Sequence, residues 1–325
     1  MRITNDDSVF SEQPVEIILE ERTSIEDLTV MLASNQVIKS ESELLWVSKM
    51  LGWRTFQKGR YVIDGAYSYD VFLSKLARGI QDPVPVTILP GIDVGRFSVQ
   101  LSNQLSFDSS SVRELFNNNE FVSSKGLSKE ALFGRMLPDT YLMYWTITPK
   151  EAINRILKEF ESSIIAVYRT KAEELDITID EAIAMASIVE WEYYIEEEKS
   201  KISGLYWNRL NRNMYLQADP TVNYAVGERR RLLFEDYEVD HPFNTYRHKG
   251  LPPAAVTNPS ISSIIAALNP DDHSYIYMVA NPEGGHIFSR TFEEHQIESE
   301  KWRKWLRQQY RIKRSREAKA GTASD

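Results

Sequence analysis

The run Ala182-Ile183-Ala184-Met185-Ala186-Ser187-Ile188-Val189, closed by Glu190, decides how the chain reads. At about 100° per residue its apolar side chains point in every direction, so the helix they form is enclosed by protein rather than laid on a surface. Thr178-Ile179-Asp180-Glu181 precedes it as a capping box, which fixes where the helix starts. Glu190 falls within roughly 20° of Ile183 on the wheel, on the same enclosed face. A carboxyl group placed there loses hydration, which disfavours its charged form. A carboxylic acid that keeps its proton is what glycosidic cleavage requires, because the leaving oxygen must be protonated as its bond breaks. The alternative is a buried ion pair with a cation such as Arg209. Glu192 lies roughly 200° from Glu190 on the wheel, and with Glu196–Glu198 it reads as a solvated charge. Glu190 therefore stands alone as the candidate acid.

Upstream, residues 14–80 read as a small α/β unit. Val15–Leu19 is a strand, Ser24 caps a helix carrying Ile25, Leu28, Met31 and Leu32, and a second helix covers Glu41–Met50. Gly59–Ile63 reads as a strand closed by Asp64-Gly65, and Ser68 opens a third helix. Asp82-Pro83 marks a domain boundary, followed by the strand Val84–Leu89 and the turn Pro90-Gly91. Thr148-Pro149-Lys150-Glu151 is another capping box and opens a helix expected to reach about Leu175.

The chain has 325 residues, no cysteine and a net charge of −9. That excludes disulfide frameworks and thiol chemistry, and it argues against nucleic acid as a partner. No apolar run approaches the roughly 20 residues needed to span a bilayer, and Met1–Asp7 lacks the apolar core of a signal peptide. Nine Lys/Arg against one Glu lie between Lys301 and Lys319, which reads as a solvated helix end running into a polar tail. His241, His248, His273, His286 and His295, with Asp236 and Asp240, could be imagined as metal ligands. No pair has zinc-helix spacing, no H-E-x-x-H occurs, and no G-x-S-x-G suggests a serine hydrolase. Neither metal nor cofactor is expected.

The enclosed helix is followed by Gly204-Leu205-Tyr206-Trp207-Asn208-Arg209-Leu210, Leu216-Gln217-Ala218-Asp219-Pro220-Thr221-Val222, Asn244-Thr245-Tyr246, Gly250-Leu251-Pro252-Pro253, Asn258-Pro259 and Ala266-Ala267-Leu268-Asn269-Pro270. In order and spacing this series, with Ala186-Ser187-Ile188-Val189-Glu190, closely resembles the YceG-like family of MltG endolytic murein transglycosylases. The resemblance spans about residues 14–310 and is strongest over 182–296.

It implies an α+β chain: a LysM-like α/β module at 14–82, a larger mixed catalytic domain at 83–312 built on the buried helix, and a basic, polar tail at 313–325. It implies cleavage of the β-1,4 bond from N-acetylmuramic acid to N-acetylglucosamine in nascent peptidoglycan strands, leaving 1,6-anhydro ends. The family's catalytic glutamate, in its Ala-Ser-Ile-Val-Glu motif, falls on Glu190. Cell-wall synthases are the implied protein partners. A periplasmic location follows, through an N-terminal membrane anchor not present in this sequence. One carboxylate can suffice in such chemistry, since the sugar's own C6 hydroxyl attacks C1. Gln217, Asn244, Thr245 and Tyr246 offer donors and acceptors for sugar groups. Asp219 and Thr221 belong to a segment that either shapes the cleft or binds directly.

The chain departs from the family in places. Leu89-Pro90-Gly91 stands where Pro-Glu-Gly is common, and Phe133-Gly134 where Glu-Gly is. Trp191, Glu192 and Tyr193 replace Lys, Glu and Thr; His241 and Phe243 replace Ser and Tyr; Ala254-Ala255 replaces Gly-Pro. The lost acidic positions raise a non-catalytic peptidoglycan-binding scaffold as an alternative, and a hydrolytic muramidase is another.

Overall fold

A computed structural model describes residues 7–192 and 195–321, with side chains to residue 314. The chain is α+β and falls into two compact units. The division differs from a cut near Asp82. The first unit takes the described residues to Ile88 together with Val94–Asn117 and Asp139–Arg155, and the second takes Leu89–Asp93, Asn118–Pro138 and the described residues from Ile156 on. The segment after Asp82 joins the first unit through pairing. Strand Val84–Thr87 runs antiparallel to Thr140–Met143, and Gln81 Nε2 donates to Thr146 Oγ1 at 2.7 Å.

Within the first unit β1 (Val9–Leu19) pairs antiparallel with β4 (Gly59–Tyr67), while β2 (Thr23–Ser24) pairs with β3 (Thr55–Phe56). Alternation along β1 sends Ile17 and Leu19 inward, where they meet Leu28 and Leu32 of α1 (Ile25–Ser34), Leu44 of α2 (Glu41–Leu51) and Phe72 of α3 (Tyr69–Ala77). Ser24 and Ser40 cap α1 and α2 by accepting from Asp27 N and Glu43 N. Contrary to expectation, β4 does not close at Asp64-Gly65. Gly65 adopts φ +91°, opposite Ser11 at a register shift in β1, and the strand continues. The unit also holds β5 and β6, the pair just named (Val84–Thr87 and Thr140–Met143), with α4 (Val94–Ser102) and α5 (Ser109–Asn117), whose Phe97 and Phe116 rings meet edge to face at 5.9 Å.

The first helices of the second unit are α6 (Asn119–Ser123) and α7 (Lys129–Gly134). The capping box at Thr148 forms in the first unit and opens α8 (Pro149–Phe160), whose residues from Ile156 belong to the second. The helix expected to reach Leu175 is interrupted by a π segment at Glu161–Ile165 before α9 (Ala166–Glu174). The second box also forms: Glu181 Oε2 accepts from Thr178 N at 2.7 Å, and Thr178 Oγ1 from Glu181 N at 3.1 Å. It opens α10 (Ile179–Glu192), every residue of which from Ala182 to Glu190 is buried. Around it stand α7, α9, α11 (Lys199–Asn211), α12 (Asp219–Val226) and α13 (Ile261–Leu268). The hairpin β7 (Tyr277–Ala280) with β8 (His286–Ser289), turning through Gly284-Gly285, lies against α14 (Phe292–Gly321). The expected tail is thus helical as far as Gly321. No helix among the described residues is long and apolar enough to cross a membrane.

Close packing on α10 sets one glycine. A Cβ on Gly134 would stand 2.7 Å from Ala255 Cβ and 3.1 Å from Ile183 Cγ2. Gly134→Val is therefore expected to destabilise the protein by about 1–3 kcal/mol through overpacking, measured by denaturant unfolding. Gly126→Val, a positive-φ control with open space around it, should lose stability through backbone strain alone and leave the α10 packing intact.

Candidate active site

The two carboxylates at the end of α10 have different surroundings. Glu190 is buried as expected, but it points into the N-terminus of α13. Its Oε2 accepts from Ser260 N (3.0 Å), Ser260 Oγ (2.6 Å) and Ser263 Oγ (2.6 Å). Ser260 is the N-cap of α13, so this carboxylate completes a helix terminus where negative charge is favoured. The cation nearest to it is Lys199, at 3.9 Å, itself buried and bonded to Ser262 Oγ and Glu196 Oε2 at 2.8 Å each. The ion pair with Arg209 raised by the sequence does not form. Arg209 donates instead to the carbonyls of Ile276 and Leu216, at 2.6 Å each. Tyr194, roughly 40° from Glu190 on the helical wheel, lies outside the described residues.

The expectation that Glu192 is solvated is corrected. It lines a cleft of about 420 Å³ with Tyr206, Gln217, Asp219 and Tyr246. The wheel argument failed because an all-round apolar helix is enclosed on the far side as well. At Glu192 the enclosing wall is Tyr206 of α11, whose hydroxyl donates to Glu192 Oε1 at 3.2 Å. Burial, and then the negative charge of Asp219, push the Glu192 carboxyl up to about 7, against the opposing effects of the Tyr206 hydrogen bond and Arg209. The carboxyl group with the shifted proton thus sits in the cleft wall.

Asp219 occupies the first turn of α12 and accepts from Tyr246 Oη at 2.7 Å. Tyr237 Oη lies 3.4 Å from both Asp219 oxygens. Burial and then Asp219 raise the Tyr246 hydroxyl far above its usual range and the Tyr237 hydroxyl to about 12, so both stay donors. Gln217, held at φ +53°, faces the cleft beside them.

Three other expected site residues are turned inward. Thr221 and Thr245 are buried and share a hydrogen bond of 2.8 Å between their hydroxyls. Asn244, also buried, donates to the carbonyls of Tyr237 and Val239 and accepts from Tyr246 N. Their polar groups fix the Asn244-Thr245-Tyr246 loop and leave Tyr246 to face the cleft. Asn258, of the Asn258-Pro259 motif, is a buried staple. Its amide donates to the Leu89 and Met136 carbonyls and accepts from Ile92 N, and α13 starts later, at Ile261.

Residues 17–301 match the model of the YceG-like family. The chain belongs to the YceG-like family. An endolytic murein transglycosylase of Bacillus subtilis strain 168 is 28% identical over 309 residues, which cover 90% of this chain and 86% of the relative. The endolytic murein transglycosylase of Streptococcus pneumoniae serotype 2 strain D39 is 24% identical over 316 residues, 87% of this chain and 57% of that longer protein. A crystal structure of a YceG-like protein from Listeria monocytogenes superposes with a TM-score of 0.63 at 28% identity, over 88% of this chain and 99% of that one.

Side chains from four separate segments meet in this YceG-like cleft: Glu192, Tyr206, the Gln217–Asp219 segment and Tyr246, with His286 and His295 at its hairpin side. His286 is anchored by Glu198, its Nδ1 standing 2.8 Å from Glu198 Oε2. Only Gln217, Asp219 and Tyr246 of these carried a readable signal, as polar residues within motifs. The raised Glu192 carboxyl also has a consequence for stability. Below the unfolded value the group is neutral in both states. As pH rises from there through about 7, the unfolded chain ionises first and the folded state loses stability relative to it. Glu192→Gln should therefore lower the loss of melting temperature between pH 5 and pH 8. An identical loss in both proteins would place the Glu192 proton at its ordinary value.

Proposed function

We propose that this chain is an endolytic murein transglycosylase in which Glu192, rather than Glu190, is the acid/base. The observation that carries the reading is the placement of Glu192 in the wall of a 420 Å³ cleft, between Tyr206 and Asp219, an enclosure that pushes its carboxyl up to about 7. Glu192 gives its proton to the oxygen leaving muramic C1 as that C–O bond breaks. The C6 hydroxyl then closes on C1, its proton returns to Glu192, and no water is consumed. Asp219, steadied by Tyr246 and Tyr237, faces the positive charge that develops at the sugar ring. Gln217 supplies hydrogen bonds to a substrate hydroxyl or N-acetyl group. The module at 14–82 holds the strand without doing chemistry. A membrane anchor ahead of this sequence and synthase partners complete the proposal.

A second reading has one observation in its favour. Asp219 lines the same cleft as Glu192, so a pair of carboxylates is present, as muramidases require. The two readings differ in the product. Cleavage of peptidoglycan in 18O-labelled water should leave muramic C1 unlabelled and yield 1,6-anhydro ends detected by mass spectrometry. Label at C1 would establish the muramidase instead.

Glu192→Gln should lower glycan cleavage by about 10³-fold with the fold intact, and the wild-type rate should decline as pH rises past about 7. Glu190→Gln should retain most of the turnover while costing about 1–3 kcal/mol of stability, because it weakens the hydrogen bonds that cap α13. Loss of cleavage by a well-folded Glu190→Gln protein, with Glu192→Gln active, would reverse the assignment.

A further inference from the structure

A second, smaller hollow of about 120 Å³ is lined by Trp191, Glu192, Asp219, Pro220, Asn223 and Arg229. Trp191, Glu192 and Asp219 are common to both hollows, so the acid borders each of them. The small hollow is well below the roughly 300–1,000 Å³ of pockets that bury drug-sized ligands. It has room for a substituent of a few atoms.

Arg229 is the cation on its wall, and its arrangement is unusual for an arginine in a chain of net charge −9. The neighbouring Arg230 is engaged by Asp236 and Glu228, at 2.7 and 3.0 Å. Arg229 has a single protein acceptor among the described residues, the Gly91 carbonyl, at 2.9 Å from Nη1. Its guanidinium lies 4.6 Å from the centre of the Trp191 ring, and Trp191 Nε1 donates to the same Gly91 carbonyl at 3.0 Å. Stacking and a shared carbonyl hold the guanidinium plane in place. The remaining N–H groups are left for an acceptor from outside, and a planar guanidinium suits a carboxylate. Gly91 makes this possible: its backbone sits at φ +66°, a conformation that favours glycine, and its carbonyl serves both donors.

We infer that Arg229, seated on Trp191, binds a carboxylate of the substrate in the small hollow and so selects muramic-acid strands over uncharged glycans. The inference rests on the glycan-cleaving reading above. The carboxylate has two sources: the lactyl group of muramic acid itself, or the peptide stem attached to it.

The test uses the full chain carrying Glu192→Gln, so that strands are bound and not cut. Three ligands are titrated: peptide-bearing glycan strands, the same strands stripped of peptides by an amidase, which bare the lactyl carboxylate, and chitin oligosaccharide, which has no carboxylate. Carboxylate-bearing strands should bind about tenfold tighter than chitin. Adding Arg229→Gln should remove that advantage and leave chitin affinity unchanged. Arg229→Lys, which keeps the charge and loses the fork, should restore part of it. The stripped strands identify the source. If they show the full advantage the lactyl group is bound, and if they bind like chitin the peptide stem is. Equal affinity for all three ligands, or an Arg229→Gln effect that includes chitin, would overturn the inference and leave the enzyme reading standing. No binding to any of the three would remove both.

Discussion

Enclosure of the helix Ile179–Glu192 is the constraint on which the second unit depends. Its apolar residues face outward all round, and five helices surround it. Any polar group at its C-terminal end is therefore taken from water and must find partners or change its protonation. Two glutamates stand there, two residues apart, and they meet this demand in opposite ways. Glu190 remains within a shell of donors, the N-cap of α13 and its serines. Glu192 meets one tyrosine hydroxyl and the negative charge of Asp219, and its proton is held to about 7.

This division of labour explains how one helix end can serve both structure and chemistry. The Glu190 cap ties α10 to α13 two residues before Glu192 enters the cleft wall. A site built on a rigid helix holds its geometry better than one built on loops. The loops contribute all the same, but only after being fixed by buried polar pairs, Thr221 with Thr245 and Asn244 with two carbonyls. Each removes polar groups from solvent in order to aim a neighbour, Asp219 or Tyr246, into the cleft.

Much of this was legible in the sequence because the signals were local. The capping boxes at Thr148 and Thr178 form as their spacing demands, and the enclosed helix follows from its own composition. The family resemblance, read from motif order, agrees with the matched family model. What the sequence concealed depends on partners far away in the chain. Glu192 looked solvated because its wall, Tyr206 and Asp219, comes from two later helices. Thr221, Asn244 and Thr245 looked like substrate contacts because loop polarity does not reveal that each finds a protein partner. The pairing that follows Asp82 is likewise hidden from local sequence. Val84–Thr87 is a strand whose partner lies more than fifty residues on.

The central claim is that the cleft glutamate holds its proton near neutral pH, and it can be observed directly. Protein labelled with 13C at glutamate carboxyls would be titrated by NMR, with Glu192→Gln used to assign the resonance. The expected result is one carboxyl midpoint near pH 7, missing from the Glu192→Gln spectrum and unchanged by Glu190→Gln apart from a small displacement. A Glu192 carbon that titrates in the ordinary carboxylate range, near 4.3, would contradict the account.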